Sequence, residues 1–156
     1  MMKRIPSLLL LAALFALGGC EVASKSQAAA DKPALAKGVG GIVCPSQDFD
    51  AFLVAFMDDP AVQKAFTKRP LQSETLDANA DPEPRPVTAL LDGEKLKFPL
   101  MPSSARQKQD GLALSQSELN GDKEVMLAKP DTDYQLSYFF RKGDCWTLYR
   151  MRDDSL

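Results

Sequence analysis

The sequence predicts an α+β domain in which two N-terminal helices pack on a curved, mainly antiparallel sheet of about five to six strands. Apolar residues recur at helical spacing near residue 50, and after residue 67 the pattern changes to short alternating runs separated by turn residues. No internal repeat and no β-α-β alternation is present. The 156 residues, 45% hydrophobic and 26% charged, suffice for one globular domain.

Two helices open the predicted domain. Ser46 is the expected N-cap of the first helix, and the second helix is expected to begin at Asp59-Pro60, where proline suits the first helical position. The apolar face of the first helix would consist of Phe49, Phe52, Leu53 and Phe56. The buried stripe of the second would consist of Val62, Ala65 and Phe66.

The middle of the domain is predicted as strands and loops. Residues 67–76 form a candidate strand, and residues 77–86, with three prolines, form a loop. Asp92-Gly93 is a two-residue hairpin signal before the alternating run Lys95–Phe98. Pairing across that turn would place four residues on one face: Val87, Ala89, Leu96 and Phe98.

The last part of the domain is predicted as two hairpins after a polar loop at residues 102–109. Asn120-Gly121 would bring Leu112 and Leu114 near Val125 and Leu127. A three-residue loop, Lys142-Gly143-Asp144, would join the strands YQLSYFFR and CWTLYRMR. This loop predicts a register with Phe140 opposite Trp146 and Tyr138 opposite Leu148.

The first 19 residues read as a signal peptide, with Lys3 and Arg4 before the 13-residue apolar run 5–17. That run is too short for a membrane-spanning helix, which needs roughly 17 to 25 residues. Leu17-Gly18-Gly19-Cys20 resembles the lipobox of bacterial lipoproteins. The resemblance implies that Cys20 becomes the first residue and carries fatty acyl chains, palmitate among them. Glu21 after the cysteine favours the outer membrane over the inner one.

Residues 20–43 are expected to be an acylated N-terminus and flexible tether, because they contain no aromatic residue and few large aliphatic ones. A frayed helix over residues 28–37 is the alternative. Loss of the signal peptide removes two of 19 basic side chains and none of 21 acidic ones, which leaves a net charge of −4. An acidic surface repels phosphate backbones, so no nucleic acid is expected as a partner and the membrane contact would come from lipid.

Two further cysteines, Cys44 and Cys145, remain in residues 44–156, the predicted single domain. An even count in an oxidising compartment predicts a disulfide between them. Redox-active pairs usually occur as Cys-x-x-Cys, and these two lie about 100 positions apart, so a structural role is favoured.

The chain contains no histidine, which excludes Ser-His-Asp and Cys-His catalysis, and no metal or cofactor is expected. Four acidic residues surround the first helix: Asp48, Asp50, Asp58 and Asp59. Paired carboxylates can hydrolyse glycosides, but helix capping is the favoured role here. Asp77, Asp81 and Glu83 do not match the calcium-loop spacing, so a solvated acidic loop is favoured.

Aromatic residues concentrate in the final hairpin. Phe139 and Phe140 cannot face the same way in a regular strand, so one of them falls on the face that would otherwise be wet. A ligand or partner surface is one interpretation, and coverage by the helices or the tether is the other. The candidate surface residues are Tyr138, Trp146, Tyr149 and Arg150. Arg150 and Arg152 could bind an anion or keep an edge strand soluble.

The segments DFDAFLVAFMDDPAVQKAFTKRPL and YFFRKGDCWTLYRMRDDS resemble a group of bacterial envelope lipoproteins that carry a domain of unknown function. They cover about a third of the mature chain. The resemblance implies the cone-shaped fold of nuclear transport factor and ketosteroid isomerase, a curved sheet around N-terminal helices with a pocket between them. Catalytic members of that superfamily use an Asp base with a Tyr donor, or a His-Asp pair. No residue of this chain maps onto such a base.

The expected function is therefore that of a lipid-anchored periplasmic module that binds an envelope protein or a small apolar ligand without catalysis. One alternative is a small enzyme with a pocket carboxylate or tyrosine as general acid-base. The other is a structural or inhibitory partner protein.

Overall fold

The structure is a computed structural model that describes residues 41–156. The predicted signal peptide (1–19), the lipid attachment at Cys20 and all but the last three residues of the predicted tether (20–43) lie outside the described residues. The division of the chain at these points stays a prediction. Among the described residues, no helix is long and apolar enough to cross a membrane.

Three short helices precede or interrupt the strands: α1 (Phe49–Asp58), α2 (Pro60–Ala65) and α3 (Ser104–Asp110). The predicted start of α2 is confirmed, since the Asp59 carboxylate accepts from the Ala61 N–H and Pro60 follows it. The N-cap of α1 is Asp48 and not Ser46, because the Ser46 hydroxyl instead accepts from the Asp48 N–H.

Six strands form one mixed sheet in the order β2-β1-β6-β5-β4-β3. Their bounds are β1 (Thr67–Asp77), β2 (Arg85–Leu91), β3 (Ala113–Leu119), β4 (Asp122–Ala128), β5 (Gln135–Lys142) and β6 (Trp146–Asp153). β1 and β6 are parallel, and the other four neighbouring pairs are antiparallel. The predicted α+β class is therefore correct, and the parallel pair places the last strand in the middle of the sheet.

The helices cover one face of the sheet, called here the inner face; the opposite one is the outer face. Phe49, Phe52 and Phe56 of α1 pack edge-to-face against Phe140 of β5, with ring centroids 5.1 to 6.0 Å apart. Trp146 of β6 lies 4.8 Å from Phe49. Such aromatic pairs contribute about 0.5–1.5 kcal/mol each beyond burial of area, so this cluster fixes α1 on the sheet.

The hairpin predicted at Asp92-Gly93 is wrong. β2 pairs with β1, and residues 93–95 form a single 3₁₀ turn. Asp92 is the N-cap of this turn, since its carboxylate accepts from the Gly93 N–H. Leu96 then turns into the core, while Val87 is 44% exposed, so the predicted common face does not exist. Pro99 directly follows the predicted run 95–98 and has no N–H group, so this run cannot continue as a hydrogen-bonded strand.

The polar loop predicted at residues 102–109 is also wrong, because most of it is α3. The Ser103 hydroxyl accepts from the Arg106 N–H at the start of this helix. Gly111, at φ 68°, ends it in the left-handed conformation that favours glycine. These two caps delimit a helix whose side chains are mostly polar and exposed.

The hairpin predicted at Asn120-Gly121 is confirmed. Both residues have positive φ (53° and 84°), as a type I′ turn requires, and Leu114 lies opposite Leu127.

The predicted register of the last hairpin is wrong. Phe140 pairs with Leu148, not with Trp146, because the connection is Gly143–Cys145. A bulge at Tyr149 then shifts the pairing, so that Phe139 lies opposite Arg150 and Tyr138 opposite Met151. Phe140 and Leu148 nevertheless lie on the inner face, as the predicted register requires. The partner of Phe140 differs from the predicted one by two residues, and an even shift leaves each side chain on the same face.

A disulfide joins Cys44 to Cys145, the pairing that the sequence predicts, with their Cα atoms 5.7 Å apart. Gln47 strengthens the same junction. Its side-chain amide donates to the Asp144 backbone carbonyl at 2.8 Å, and its backbone carbonyl accepts from the Trp146 indole N–H at 3.1 Å. The segment before α1 is thus fixed to the β5–β6 turn.

Candidate ligand-binding cleft

A cleft of about 530 Å³ opens between the end of α1, the helix α3 and the strand β5. Its walls are mainly apolar, with a few polar side chains around them. The apolar lining includes Met57, Pro99, Leu100, Leu112 and Leu136, and the polar lining includes Asp58, Arg106, Asp110, Tyr134 and Tyr138. This combination of an apolar wall and few polar groups is typical of small-molecule sites. We call it the α3 cleft.

One wall of the α3 cleft is the irregular segment 99–102, which two buried glutamines hold in place. The Gln63 carbonyl oxygen accepts from the N–H groups of Leu100 (2.7 Å) and Met101 (3.1 Å), and its amide donates to the Met101 carbonyl at 2.8 Å. The Gln107 amide donates to the Pro102 carbonyl at 2.7 Å. Because these bonds satisfy the backbone of a segment that belongs to no helix or strand, the wall is preformed.

Tyr138 forms the deep end of the cleft. Its ring is buried, and its hydroxyl donates to the Leu100 carbonyl at 3.1 Å. Burial raises the pKa of Tyr138 far above its usual value, and the nearby Tyr134 and Asp153 raise it further. Tyr138 therefore remains a neutral hydrogen-bond donor throughout the physiological pH range.

The two carboxylates of the cleft already have partners. Asp58 accepts from the backbone N–H (2.8 Å) and the hydroxyl (3.1 Å) of Ser104, which caps the first turn of α3. Asp110 is paired with Arg106 at 2.7 Å within the same helix. Burial, followed by the charges of Asp153 and Asp110, raises the pKa of Tyr134 as well. The polar groups of the cleft are thus suited to hydrogen bonding.

The four residues predicted as one ligand or partner surface lie on two faces of the sheet. Tyr138 and Trp146 are on the inner face and almost fully buried, and only Tyr138 lines the α3 cleft. Tyr149 and Arg150 lie on the outer face, beside a smaller depression of about 400 Å³. Tyr149 follows the inner-face residue Leu148 and faces outwards by the alternation of the strand, and the bulge at Tyr149 turns Arg150 outwards as well.

On the outer face, Tyr149 belongs to a cluster that connects three strands. Arg141 of β5 donates two hydrogen bonds, of 3.0 and 2.7 Å, to the Asp122 carboxylate of β4, and the Tyr149 hydroxyl donates to the same group at 2.9 Å. The Arg141 guanidinium also lies 4.4 Å from the Tyr149 ring centroid. The hydrogen bond from Arg141 lowers the pKa of Asp122, and burial, together with the bond to Asp122, raises the pKa of Tyr149.

The expectation that Arg150 and Arg152 keep an edge strand soluble is wrong, because β6 is a central strand. Their guanidinium carbons lie 3.8 and 5.8 Å from the centroid of Phe139, the aromatic on the outer face. Arg150 also faces Glu74 at 3.6 Å, and Arg152 pairs with Asp154 at 2.8 Å. Phe139 is only 5% exposed as a result. The two arginines therefore cover the aromatic residue that the sequence places on the otherwise wet face of the sheet.

Three of the four acidic residues around α1 cap helices, as predicted. Asp48, Asp58 and Asp59 accept from the first turns of α1, α3 and α2 respectively. Asp50 instead accepts from the Gln116 side chain of β3 at 3.1 Å. Within residues 41–156 no three Cys, Asp or Glu residues lie close enough together to hold a metal ion.

Sequence reasoning missed both glutamines and α3, and thereby most of the cleft wall. A local signal for α3 was present, since Ser103 and Gly111 are typical helix caps and enclose the seven residues of this helix. Nothing in the sequence marked Gln63, a polar residue within an apolar helical stripe, as the partner of a segment 38 positions away.

No family model matches this chain, and no curated protein matches it. Among solved structures, it is similar to an NTF2-like protein from Bacteroides fragilis NCTC 9343, with 22% sequence identity and a TM-score of 0.50. The match covers 71% of this chain and 48% of the other, so the chain spans about half the length of that protein. The described domain therefore has an NTF2-like fold, and its six-stranded mixed sheet is consistent with that fold.

Proposed function

We propose that the chain is a lipid-anchored protein of the bacterial envelope, facing the periplasm from the outer membrane, whose domain binds a small, mainly apolar ligand in the α3 cleft. The NTF2-like fold is compatible with enzymes and with binding proteins. The choice between these two functions therefore depends on the side chains of the α3 cleft. The leader, the lipobox-like residues 17–20 and the disulfide support the location.

The state of the polar groups in the cleft favours binding over catalysis. A general base must be able to take a proton from the substrate, and both cleft carboxylates, Asp58 and Asp110, are engaged by hydrogen bonds or an ion pair. The hydroxyl of Tyr138 is neutral and bonded to the Leu100 carbonyl. These groups can orient a ligand that places its apolar part against Leu112 and Leu136 and one polar group near Tyr134.

A binding experiment tests the cleft. The chain from Glu21 onwards is exported with a cleavable leader and titrated with the uncharged fluorescent probe N-phenyl-1-naphthylamine. Leu112→Gln, in the cleft wall, should weaken probe binding at least tenfold. Leu114→Gln changes the same residue type on the exposed strand β3, outside the cleft lining, and should leave binding unchanged.

Circular dichroism and thermal melting show whether both variants fold. Absence of probe binding to the parent chain, or equal binding by folded Leu112→Gln, would rule out the α3 cleft as an apolar site.

A second experiment tests the anchor. In cells supplied with labelled palmitate, the full chain should incorporate label and sediment with outer membranes, and Cys20→Ser should abolish the labelling. Mass spectrometry of the N-terminal peptide should show a mature chain that starts at acylated Cys20. An unmodified Cys20 in envelope-derived protein would contradict the proposal.

A further inference from the structure

The two edges of the sheet differ in how they are protected against pairing. At the β2 edge, Arg85 and Pro86 begin the strand, and Pro82 and Pro84 precede it. Prolines and charges of this kind normally prevent a sheet edge from pairing with another chain. The β3 edge has the sequence ALSQSEL, without proline or bulge, and its one charged residue, Glu118, is paired with Lys123 of the neighbouring strand.

The register of the β3–β4 hairpin determines which backbone groups of β3 point away from β4. In a two-residue hairpin the residues beside the turn, here Leu119 and Asp122, form a hydrogen-bonded pair, and such pairs alternate with unbonded ones. The N–H and C=O groups of Leu114, Gln116 and Glu118 therefore point to the free edge. Every residue of β3 is exposed within the part of the chain that the structure describes.

We propose that β3 is a docking edge for a second copy of this chain, which pairs antiparallel with it about a two-fold axis at Gln116. In this register the outward-pointing residues meet one another, since Leu114 lies opposite Glu118 of the second copy and Gln116 lies opposite itself. Three hydrogen-bonded residue pairs then give about six backbone hydrogen bonds. The interface is isologous, as expected for a closed dimer.

The side chains of ALSQSEL are self-complementary in this register because Ser-Gln-Ser reads the same in both directions. On the outer face Ser115 lies opposite Ser117 of the second copy, and Leu119, which is 62% exposed, lies opposite Ala113. The two Glu118 side chains stand four residues apart along the ladder, about 14 Å, at 3.4 Å per residue. This distance exceeds the Debye length of about 8 Å at physiological salt, so the charges do not oppose pairing.

Neighbouring registers are less favourable. An axis at Ser115 or Ser117 aligns two hydrogen-bonded pairs instead of three. An axis at Glu118 places two carboxylates directly opposite each other, which destabilises a sheet. One seven-residue edge buries less than the roughly 1,000 Å² of a stable interface, so a weak, concentration-dependent dimer is expected.

Cysteine cross-linking of the full chain in detergent tests the proposal. Gln116→Cys should form a disulfide-linked dimer under a mild oxidant, because facing residues of a hydrogen-bonded pair have Cα atoms about 5.5 Å apart. Leu114→Cys and Glu118→Cys should each fail to cross-link alone but should cross-link when mixed. Empty micelles are added in excess so that copies do not share a micelle by chance.

Sedimentation of the unmodified chain should show a dimer that dissociates on dilution, and Gln116→Lys should shift it to monomer. Equal cross-linking at 114, 116 and 118 would indicate random collision and overturn the proposal. A monomer at all concentrations would also overturn it. So would concentration-independent protection of the Leu114, Gln116 and Glu118 amides from hydrogen exchange, because another part of the chain would then cover the edge.

Discussion

Arg150 lies directly opposite Phe139 on the outer face of the sheet, with its guanidinium carbon 3.8 Å from the ring centroid. The bulge at Tyr149 creates this pair, since without it Arg150 would face inwards. A guanidinium over an aromatic face is attracted by the ring quadrupole, and partial desolvation strengthens the interaction. The pair lets the sheet carry a large aromatic on its outer face with arginine as the cover.

A double-mutant cycle of Phe139→Leu and Arg150→Met should give a coupling free energy of about 1 kcal/mol in urea unfolding. The cycle is needed because the buried Arg150 Nε has no hydrogen-bond partner. Arg150→Met alone therefore has two opposing effects on stability: it removes the contact with Phe139, and it also removes an unsatisfied polar group. The control cycle uses Phe98 and the exposed Arg69, whose guanidinium lies 6.0 Å from the ring, and should give coupling near zero. Equal coupling in the two cycles would contradict the prediction.

Local signals in the sequence were sufficient where an element is determined by its own residues. Asp59-Pro60 located the start of α2, and Asn120-Gly121 located a type I′ turn, because each dipeptide fixes its own backbone conformation. The apolar spacing from Phe49 to Phe56 likewise identified the buried face of α1.

The remaining errors come from contacts between distant parts of the chain. The sequence does not reveal that β6 inserts beside β1 as a parallel strand, and this pairing makes the last strand central. Of the cleft, the sequence singled out Tyr138 but not the wall at residues 99–102, because that wall depends on Gln63 and Gln107 from other elements. Long-range hydrogen bonds of this kind leave no periodic pattern.

Replacement of the fully buried Gln63 by leucine should lower the free energy of unfolding by about 3 kcal/mol, because the N–H groups of Leu100 and Met101 lose their partner in a buried site. Hydrogen exchange at these two amides should accelerate more than at the α1 amides. Gln109→Leu, on the exposed side of α3, is the matched control and should change stability by less than about 0.5 kcal/mol. A small effect of Gln63→Leu would show that the segment is held by other contacts.

Removal of the disulfide by the paired change Cys44→Ser and Cys145→Ser should reduce stability strongly. The bridge closes a loop with a sequence separation of 101, which in the chain-entropy model contributes up to about 4.7 kcal/mol. Reductant should shift the urea midpoint of the parent chain to that of the double variant. The Cys20→Ser change should have no effect on this midpoint, and an unchanged midpoint with reductant would contradict a structural role for the bridge.

Alkaline pH should destabilise the domain through its buried tyrosine. Folding raises the pKa of Tyr138 above the ordinary value of 10.0, because burial disfavours the phenolate. The resulting stabilisation is fully present below pH 10 and is lost as the pH rises from 10 towards the folded pKa, since the unfolded chain releases its proton first. The loss amounts to about 1.4 kcal/mol per pH unit for one proton.

The Tyr138→Phe variant isolates this contribution from the lysines and from the other two tyrosines, which titrate in both proteins. Between pH 7 and 9 the parent chain should be more stable by a constant amount of about 1 kcal/mol, the hydrogen bond to Leu100. Above pH 10 this difference should shrink and then change sign, because phenylalanine has no proton to release. Urea unfolding at half-unit pH steps measures it. A difference that stays constant to pH 11.5 would show that the Tyr138 hydroxyl is not buried as the fold requires.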